Sequence, residues 1–543
     1  MSDQPTGPRL EIPKDMELSR RLVDWYWSDG FARGERPTEG DWEGNYEQFS
    51  LPTGSWLRQL YEVRDGLGTV HAAASRPRPS VALWGMSQTG KSTSVSALID
   101  ANVQVSDEKP ETDGSGGGLH WTAGLPYFFV APYRDESTGA TYPAHWYGRS
   151  LNPFTLGIDA SSCLSRFVPG APKPQPGCVT VSDPMHPVQV HLVPPADLLH
   201  ALARGFDSEC LGSALNGKPQ EWTPERFDRL LAEFREQHRT AARAAPDREA
   251  YERMLAVVET LKDLVFARLE TFDKLRTNEA DWQSRLESLL NDSLLIGDPD
   301  IADAFAAELF WNGSEQMTAR FIEMRAVYAR LTKLWGERPV YATLPVTSLL
   351  LDMSSCAYAF LPQLGAETRE GQQQERICAL GFRQTGDRIL LGCGADYAEK
   401  LGQSAMNYAN FQGLVWELII PLNVANLQPG AFRDLISSSD VLDFPGVGRD
   451  EKNETNRINA NAAQLGAGKG RAYTDRAFFS DIVKRGKTAS IVATYSRRLT
   501  VDSFSILQNI DKDDPKNNAA DQIANGIRTW LRNMAPGFTE GAG

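Results

Sequence analysis

Apolar residues fall at helical spacing twice near the start of the chain. They stand at Leu22, Val23 and Tyr26 within 16–27, and at Trp56, Leu57, Leu60 and Tyr61 within 56–63. Such stripes predict two helices that lie against another element. The proline-bearing stretch 76–79 ends that region, and 80–84 (SVALW) is the short continuous apolar run of a buried central strand. Residues 105–185 are rich in Gly, Pro, Ser and aromatics, which predicts loops and short strands, with a strand-like piece at 125–130. At 186–193 (HPVQVHLV) apolar and polar residues alternate as in a strand, and Pro195 starts a helix.

From about 196 to 360 the period is helical. Thr223-Pro224-Glu225 places a hydroxyl at the N-cap, proline at the first helical position and an acid in the first turn. Phe227, Leu230, Leu231 and Phe234 form one stripe behind it. Tyr251, Leu255, Val258, Leu261 and Val265 form a second, and Phe321, Met324, Val327 and Leu331 a third. Stripes of this kind are core faces of a helical domain. Strand character returns at 377–382 and 388–393, joined by a hairpin at Gln384-Thr385-Gly386-Asp387, and again at 414–420 (LVWELII) and 441–443. The runs 490–495 and 503–507 predict two further strands, and 519–534 an amphipathic closing helix.

A length of 543 residues leaves room for two or three domains. With 41% apolar and 23% charged residues, 13 Trp and 23 Phe, the chain has the balance and the material of a globular protein. It has no run of 18 apolar residues and no apolar segment at its N-terminus, so neither a transmembrane helix nor a signal peptide is expected. Cys163, Cys178, Cys210, Cys356, Cys378 and Cys393 lack CxxC or CxxH spacing, and the seven histidines form no HExxH pair. These read as free thiols in a reducing, cytoplasmic compartment, without a structural metal. The net charge of −14 argues against broad binding of nucleic acid or of anionic lipid.

One motif carries specific chemistry. Gly85, Met86, Ser87, Gln88, Thr89, Gly90, Lys91 and Ser92 match G-x-x-x-x-G-K-[ST] in full, with an apolar run before them and Val95, Leu98 and Ile99 on one helical face behind. Glycines let backbone N–H groups turn inward around phosphates, and a helix N-terminus adds its positive dipole end. Lys91 is expected on the β- and γ-phosphates, the Ser92 hydroxyl on Mg²⁺, and Thr93 beside them in the cradle. Asp443-Phe444-Pro445-Gly446, led by Val441 and Leu442, is the best candidate for the magnesium-side carboxylate, with the Gly446 amide on the γ-phosphate. The polar, glycine-rich stretch 447–470 behind it suits a segment ordered only by nucleotide. A further magnesium-binding hydroxyl is left open between Thr122, after Gly116, Gly117 and Gly118, and Ser161 or Ser162 before CLSRF. Arg449 and Arg471 are candidates for stabilising transition-state charge. No N-K-x-D motif is present; Asn509-Ile510-Asp511-Lys512-Asp513 follows the last expected strand in a different order, which leaves GTP and ATP both open.

The DFPG motif resembles the D-x-P-G of dynamin-like GTPases, which also carry Gln and Ser inside the phosphate loop, there as Gln-Ser and here as Ser87-Gln88. Dynamin's stalk follows its GTPase domain, whereas here a helical region interrupts it. A closer resemblance is to the bacterial SrfC-like virulence-factor family. It rests on 83–99 (LWGMSQTGKSTSVSALI), the glycines at 116–118, 186–206 (HPVQVHLVPPADLLHALARGF), 440–446 (DVLDFPG) and 485–507 (RGKTASIVATYSRRLTVDSFSIL). That family resembles a GTPase-type P-loop group with a large insertion between phosphate loop and D-x-P-G, encoded beside partner proteins. The resemblance implies Ser161 as the switch I ligand, where the family carries threonine, and implies a longer chain than one ending GFTEGAG.

The expected fold is therefore α/β: a P-loop NTPase (GTPase-like) domain from 76–195 and 376–543, with a mainly helical domain, 196–375, inserted, and a helical segment at 1–75. The expected activity is hydrolysis of GTP with Mg²⁺, coupled to movement of the helical domain and to a protein partner encoded nearby. Two alternatives stand beside it: a dynamin-like mechanoenzyme on membranes, and an ATP-binding or ATPase subunit of a bacterial effector or defence complex.

Overall fold

The computed structural model describes residues 12–28, 54–84, 133–134, 141–142, 163–169, 186, 188–207, 222–240, 246–266, 272, 274–275, 279–336, 338–351, 380–393, 397, 399–400, 408–422, 431–445 and 476–506. The chain is α/β and divides into two compact units. One comprises Met1–Arg76, Trp222–Val265 and Phe272–Leu309, the other Pro77–Glu221, Phe266–Thr271 and Phe310–Gly543. The segment expected as one insertion, 196–375, is divided between them. Residues 1–76 group with its middle part.

The first unit is helical among the described residues. Helices α1 (Ile12–Trp27) and α2 (Gly54–Ala74) pack on each other. The Trp27 indole donates to the Tyr61 hydroxyl at 3.1 Å, and that hydroxyl donates to Glu252 at 2.9 Å, which seats both helices on the helix that carries Glu252. In the second unit, α3 (Pro195–Phe206) begins at its proline as expected. Back in the first, α4 (Pro224–Gln237) is capped by the Thr223 hydroxyl, which accepts from the Arg226 amide at 3.3 Å. There follow α5 (Arg248–Phe266), α6 (Glu279–Leu290) and α7 (Pro299–Trp311). Phe227, Leu231 and Phe234 are buried, with Phe227 edge-on to Trp282 and Phe234 edge-on to Phe305. The helical stripes are core faces, as their spacing predicts.

The second unit is built on a mixed sheet. Its strands are β1 (Ser80–Trp84), β4 (Leu164–Pro169), β5 (Val188–Leu192), β6 (Val340–Ala342), β7 (Leu380–Thr385), β8 (Arg388–Cys393), β9 (Glu399–Lys400), β10 (Val415–Leu422), β11 (Asp440–Asp443) and β12 (Ser503–Ile506), in the order β12-β1-β11-β4-β10-β5-β6-β8-β7-β9. A separate pair, β2 (Tyr133–Arg134) and β3 (Thr141–Tyr142), lies between β1 and β4 in the chain. β1 runs parallel to both its neighbours, while β4 is antiparallel to β11 and parallel to β10. Around the sheet stand α3, α8 (Glu315–Trp335), α9 (Leu344–Leu351), α10 (Tyr408–Leu414), α11 (Ala431–Ser438) and α12 (Arg476–Arg497). Among the described residues no helix is long and apolar enough to cross a membrane.

Most expected strands stand where the pattern puts them, including the hairpin β7–β8, whose turn is Gly386-Asp387. The strand-like piece at 125–130 and the closing helix at 519–534 lie outside the described residues. Two expectations are corrected. Residues 490–495 are not a strand but the inner turns of α12. Every residue from Ser490 to Tyr495 is buried, so no polar face marks the helical period, and Ile491, Val492 and Thr494 are β-branched. A helix buried all round and a buried strand share the same apolar pattern; only length separates them, and this element runs 22 residues. The stretch 196–360 also contains β6, a three-residue strand too short to interrupt a helical reading.

Helices α12 and α3 cross with backbones in contact. A Cβ at Gly486 would lie 1.6 Å from the Ala201 carbonyl oxygen, and one at Gly205 would lie 2.0 Å from that of Ile482. Only glycine allows this approach. Thr494 donates to Asp197 at 3.0 Å, and the His200 ring and the Ser490 hydroxyl stand 2.8 Å apart across the same seam. Gly486→Ala must push the helices apart and is expected to lower stability by at least about 2 kcal/mol, read from urea denaturation; an unchanged midpoint would show that the seam is loose.

Candidate functional site

The candidate residues can be located by the strands that lead to them. β1 ends at Trp84, the residue before Gly85. The segment 85–93 lies outside the described residues, as do Gly446, Ser161, Ser162, Thr122, Arg449, Arg471 and 509–513. Asp443 is the last residue of β11 and is buried, at 2% exposure. In the register of β1 and β11, Leu83 stands opposite Asp443. β4 runs the other way, with Ser165 opposite Asp443, so the beginning of β4 lies at the edge of the sheet where β1 and β11 end. Ser161 and Ser162 immediately precede Cys163 and β4 in the chain.

The connections leave this edge in opposite directions. From β1 the chain returns to the large sheet as β4, beyond β11; from β11 it passes through α12 to β12, on the far side of β1. In open α/β sheets, ligands are taken at the carboxyl ends of strands where the connections reverse in this way.

The opposite edge is fixed by reciprocal bonds. The Ser80 amide donates to the Asp502 carboxylate at 2.7 Å, and the Asp502 amide donates back to the Ser80 carbonyl at 3.1 Å. The Ser80 hydroxyl donates to the Thr500 carbonyl. On the other flank, the Asp440 amide donates to the Pro79 carbonyl at 2.8 Å and the Arg78 guanidinium meets the Asp440 carboxylate at 3.1 Å. Both neighbours of β1 are thus tied to its first residues.

Asp440 begins a chain of charges across the sheet. Its second oxygen takes Arg166 of β4 at 3.2 Å; Arg166 also meets Glu417 of β10 at 2.6 Å, and Glu417 meets the ring of His191 of β5 at 3.2 Å. Arg166, Glu417 and Asp440 side chains are each at most 12% exposed. Burial opposes the charge on Arg166, but Glu417, Tyr495 and Asp440 around it raise its pKa further above the ordinary guanidinium value. Burial likewise pushes the Glu417 carboxyl up, and the Arg166 charge with the His191 contact outweighs it, holding the group well below the ordinary carboxylate range. The Tyr495 phenol is held protonated, first by burial and then by the Glu417 charge.

None of Arg166, Glu417 or Tyr495 was legible as a pair or triad in the sequence. The available signal was a single charge interrupting each of two apolar runs, CLSRFV and LVWELII. Charges in such positions are rare unless paired.

Glu417→Gln leaves Asp440 as the carboxylate beside Arg166 and is expected to cost about 3 kcal/mol at pH 7, read from chemical denaturation. A carboxylate whose pKa is lowered by folding contributes stability above its unfolded value, near 4.5, and loses it as pH falls below that. The gap between wild type and Glu417→Gln should therefore narrow below about pH 4.5; a gap that stays constant into acid would show that the charge of Glu417 contributes nothing.

Comparison with protein-family models, curated proteins and solved structures finds no match to this chain, so the reading of the site rests on its own residues.

Proposed function

We propose that the α/β unit is a P-loop NTPase domain of GTPase type, interrupted by a helical insertion, and that it hydrolyses a nucleoside triphosphate, GTP in preference to ATP. The observation that carries this reading is the pairing of β1 with β11. A complete G-x-x-x-x-G-K-S motif follows directly on a buried central strand, and its parallel neighbour ends in a buried aspartate opposite Leu83. Adjacent strands lie about 4.8 Å apart, which suits a phosphate cradle and a magnesium-side carboxylate serving one ligand. The reversal of connections at the same edge and the run of β4 away from it, behind Ser161, support it further.

In this reading the backbone amides of 85–92 and the Lys91 ammonium hold the β- and γ-phosphates in line for attack by water. Ser92 supplies a hydroxyl, Asp443 a carboxylate acting through water, and Ser161 a second hydroxyl. These are hard oxygen donors of the kind that suit magnesium beside substrate phosphates. Among the described residues no three His, Cys, Asp or Glu side chains converge on a metal position, and a phosphate-bound magnesium needs only one or two carboxylates from the protein. Magnesium, when bound, neutralises charge on the phosphate oxygens. The Gly446 amide senses the γ-phosphate, and its loss releases the segment that leads into α12. That movement is passed to the helical unit and alters a surface for a protein partner.

The test is hydrolysis of GTP and ATP, side by side with Mg²⁺, by wild type and Asp443→Asn. Preferential turnover of GTP is expected, with kcat about 100-fold lower in the variant and nucleotide binding retained. A preference for ATP would remove the GTPase assignment, and equal turnover by the variant would remove Asp443 from the site.

A further inference from the structure

Phe444 follows Asp443 in the chain and is buried, at 1% exposure. Its ring meets Tyr495 of α12 edge-on, with centroids 5.7 Å apart and planes at 83°. Tyr495 is itself buried, and on another side the Arg166 guanidinium stands 6.0 Å from its ring centroid. Arg166 is held in turn by Glu417 at 2.6 Å and Asp440 at 3.2 Å. A line of contacts thus runs from the charge chain in the middle of the sheet, through one aromatic ring, to the residue beside Asp443.

Asp443 closes β11 and Phe444 is the next residue, so the packing that fixes the buried Phe444 ring also restrains the backbone that carries Asp443. The ring has a preferred geometry against Tyr495, because an edge-to-face pair sets the positive edge of one ring on the negative face of the other. The Arg166 charge lies at a cation–π distance from Tyr495 and is fixed to two strands, so Tyr495 is located by groups that do not belong to its own helix.

We propose that Tyr495 is a positioning residue for Asp443, orienting its carboxylate through the neighbouring Phe444. The proposal rests on the nucleotide reading of this site and adds a residue to it. Tyr495 touches no reacting atom; its ring, backed by Arg166, sets where the strand end points. A tyrosine serving only to fill space would affect folding and binding together. One that aims a carboxylate affects the chemical step and spares ground-state binding.

The experiment compares wild type with Tyr495→Leu, Tyr495→Phe and Phe444→Leu, using whichever triphosphate the wild type hydrolyses. It measures kcat, KM, affinity for the diphosphate, melting temperature and amide hydrogen exchange in the peptide that carries Phe444. Tyr495→Leu and Phe444→Leu are expected to lower kcat about tenfold or more while KM and diphosphate affinity stay within about threefold. Tyr495→Phe keeps the ring and should restore kcat to within about twofold of wild type, with exchange at Phe444 slow, whereas Tyr495→Leu speeds it. Phe444→Leu and Tyr495→Phe give the answer if Tyr495→Leu does not fold. The proposal is overturned if both leucine variants keep wild-type kcat, or if kcat, binding and melting temperature fall together in all three. A wild type that neither binds nor hydrolyses either nucleotide removes the nucleotide reading and this inference with it; a hydrolysing wild type with indifferent leucine variants removes the inference alone.

Discussion

Arg166 is buried in the middle of the sheet and can remain charged there only because Glu417 and Asp440 stand beside it. Desolvating a guanidinium costs several kcal/mol, and the attraction of its two carboxylates offsets that cost only when the geometry is held. The three residues sit on three adjacent strands, β10, β4 and β11, whose order is non-sequential. A slip of β4 by one residue would turn the guanidinium to the other face and strand two carboxylates. The register that puts the start of β4 beside Asp443 is thereby specified by charge as well as by apolar pattern. Through Asp440 and Arg78 the same chain reaches the foot of β1.

The two edges of this part of the sheet differ in kind. At the amino ends of β1, β11 and β12, backbone and side chain bond each strand to the next, through Asp440, Asp502 and Ser80. At the carboxyl ends lie Asp443 and the residue before Gly85, and from there the chain departs in both directions. A rigid scaffold of this kind suits function carried by the segments that depart from its other edge. Helix α12 joins the two, since it follows the DFPG segment in sequence, lies against α3 across Gly205 and Gly486, and ends beside the start of β12.

What the sequence disclosed was local. The strand before the glycine-lysine motif, the strand ending at Asp443, the capped helix at Thr223 and the β7–β8 hairpin all announce themselves within a few residues, by a run, a cap or a turn. What it hid was non-local or all-buried. β4 lies within a stretch rich in glycine and proline and gains its partners from residues more than 250 positions away, as Arg166 does with Glu417. The inner turns of α12 are buried on every side, so composition favoured a strand. Of the candidate site, Asp443 could be followed to its strand and register, and the glycine-lysine motif to its leading strand. The support behind Asp443, from Phe444 to Tyr495 to Arg166, depends on side chains meeting across three distant segments, and no spacing rule connects them.

The central claim is that this chain holds a nucleotide on the loop that follows β1. The most direct measurement is calorimetric titration of GTP, GDP and ATP with Mg²⁺ into wild type and into Lys91→Ala. Binding of a single nucleotide by wild type, lost or strongly weakened in the variant that lacks the ammonium, is the predicted result. Absence of binding to wild type, or equal binding by both proteins, would contradict the account.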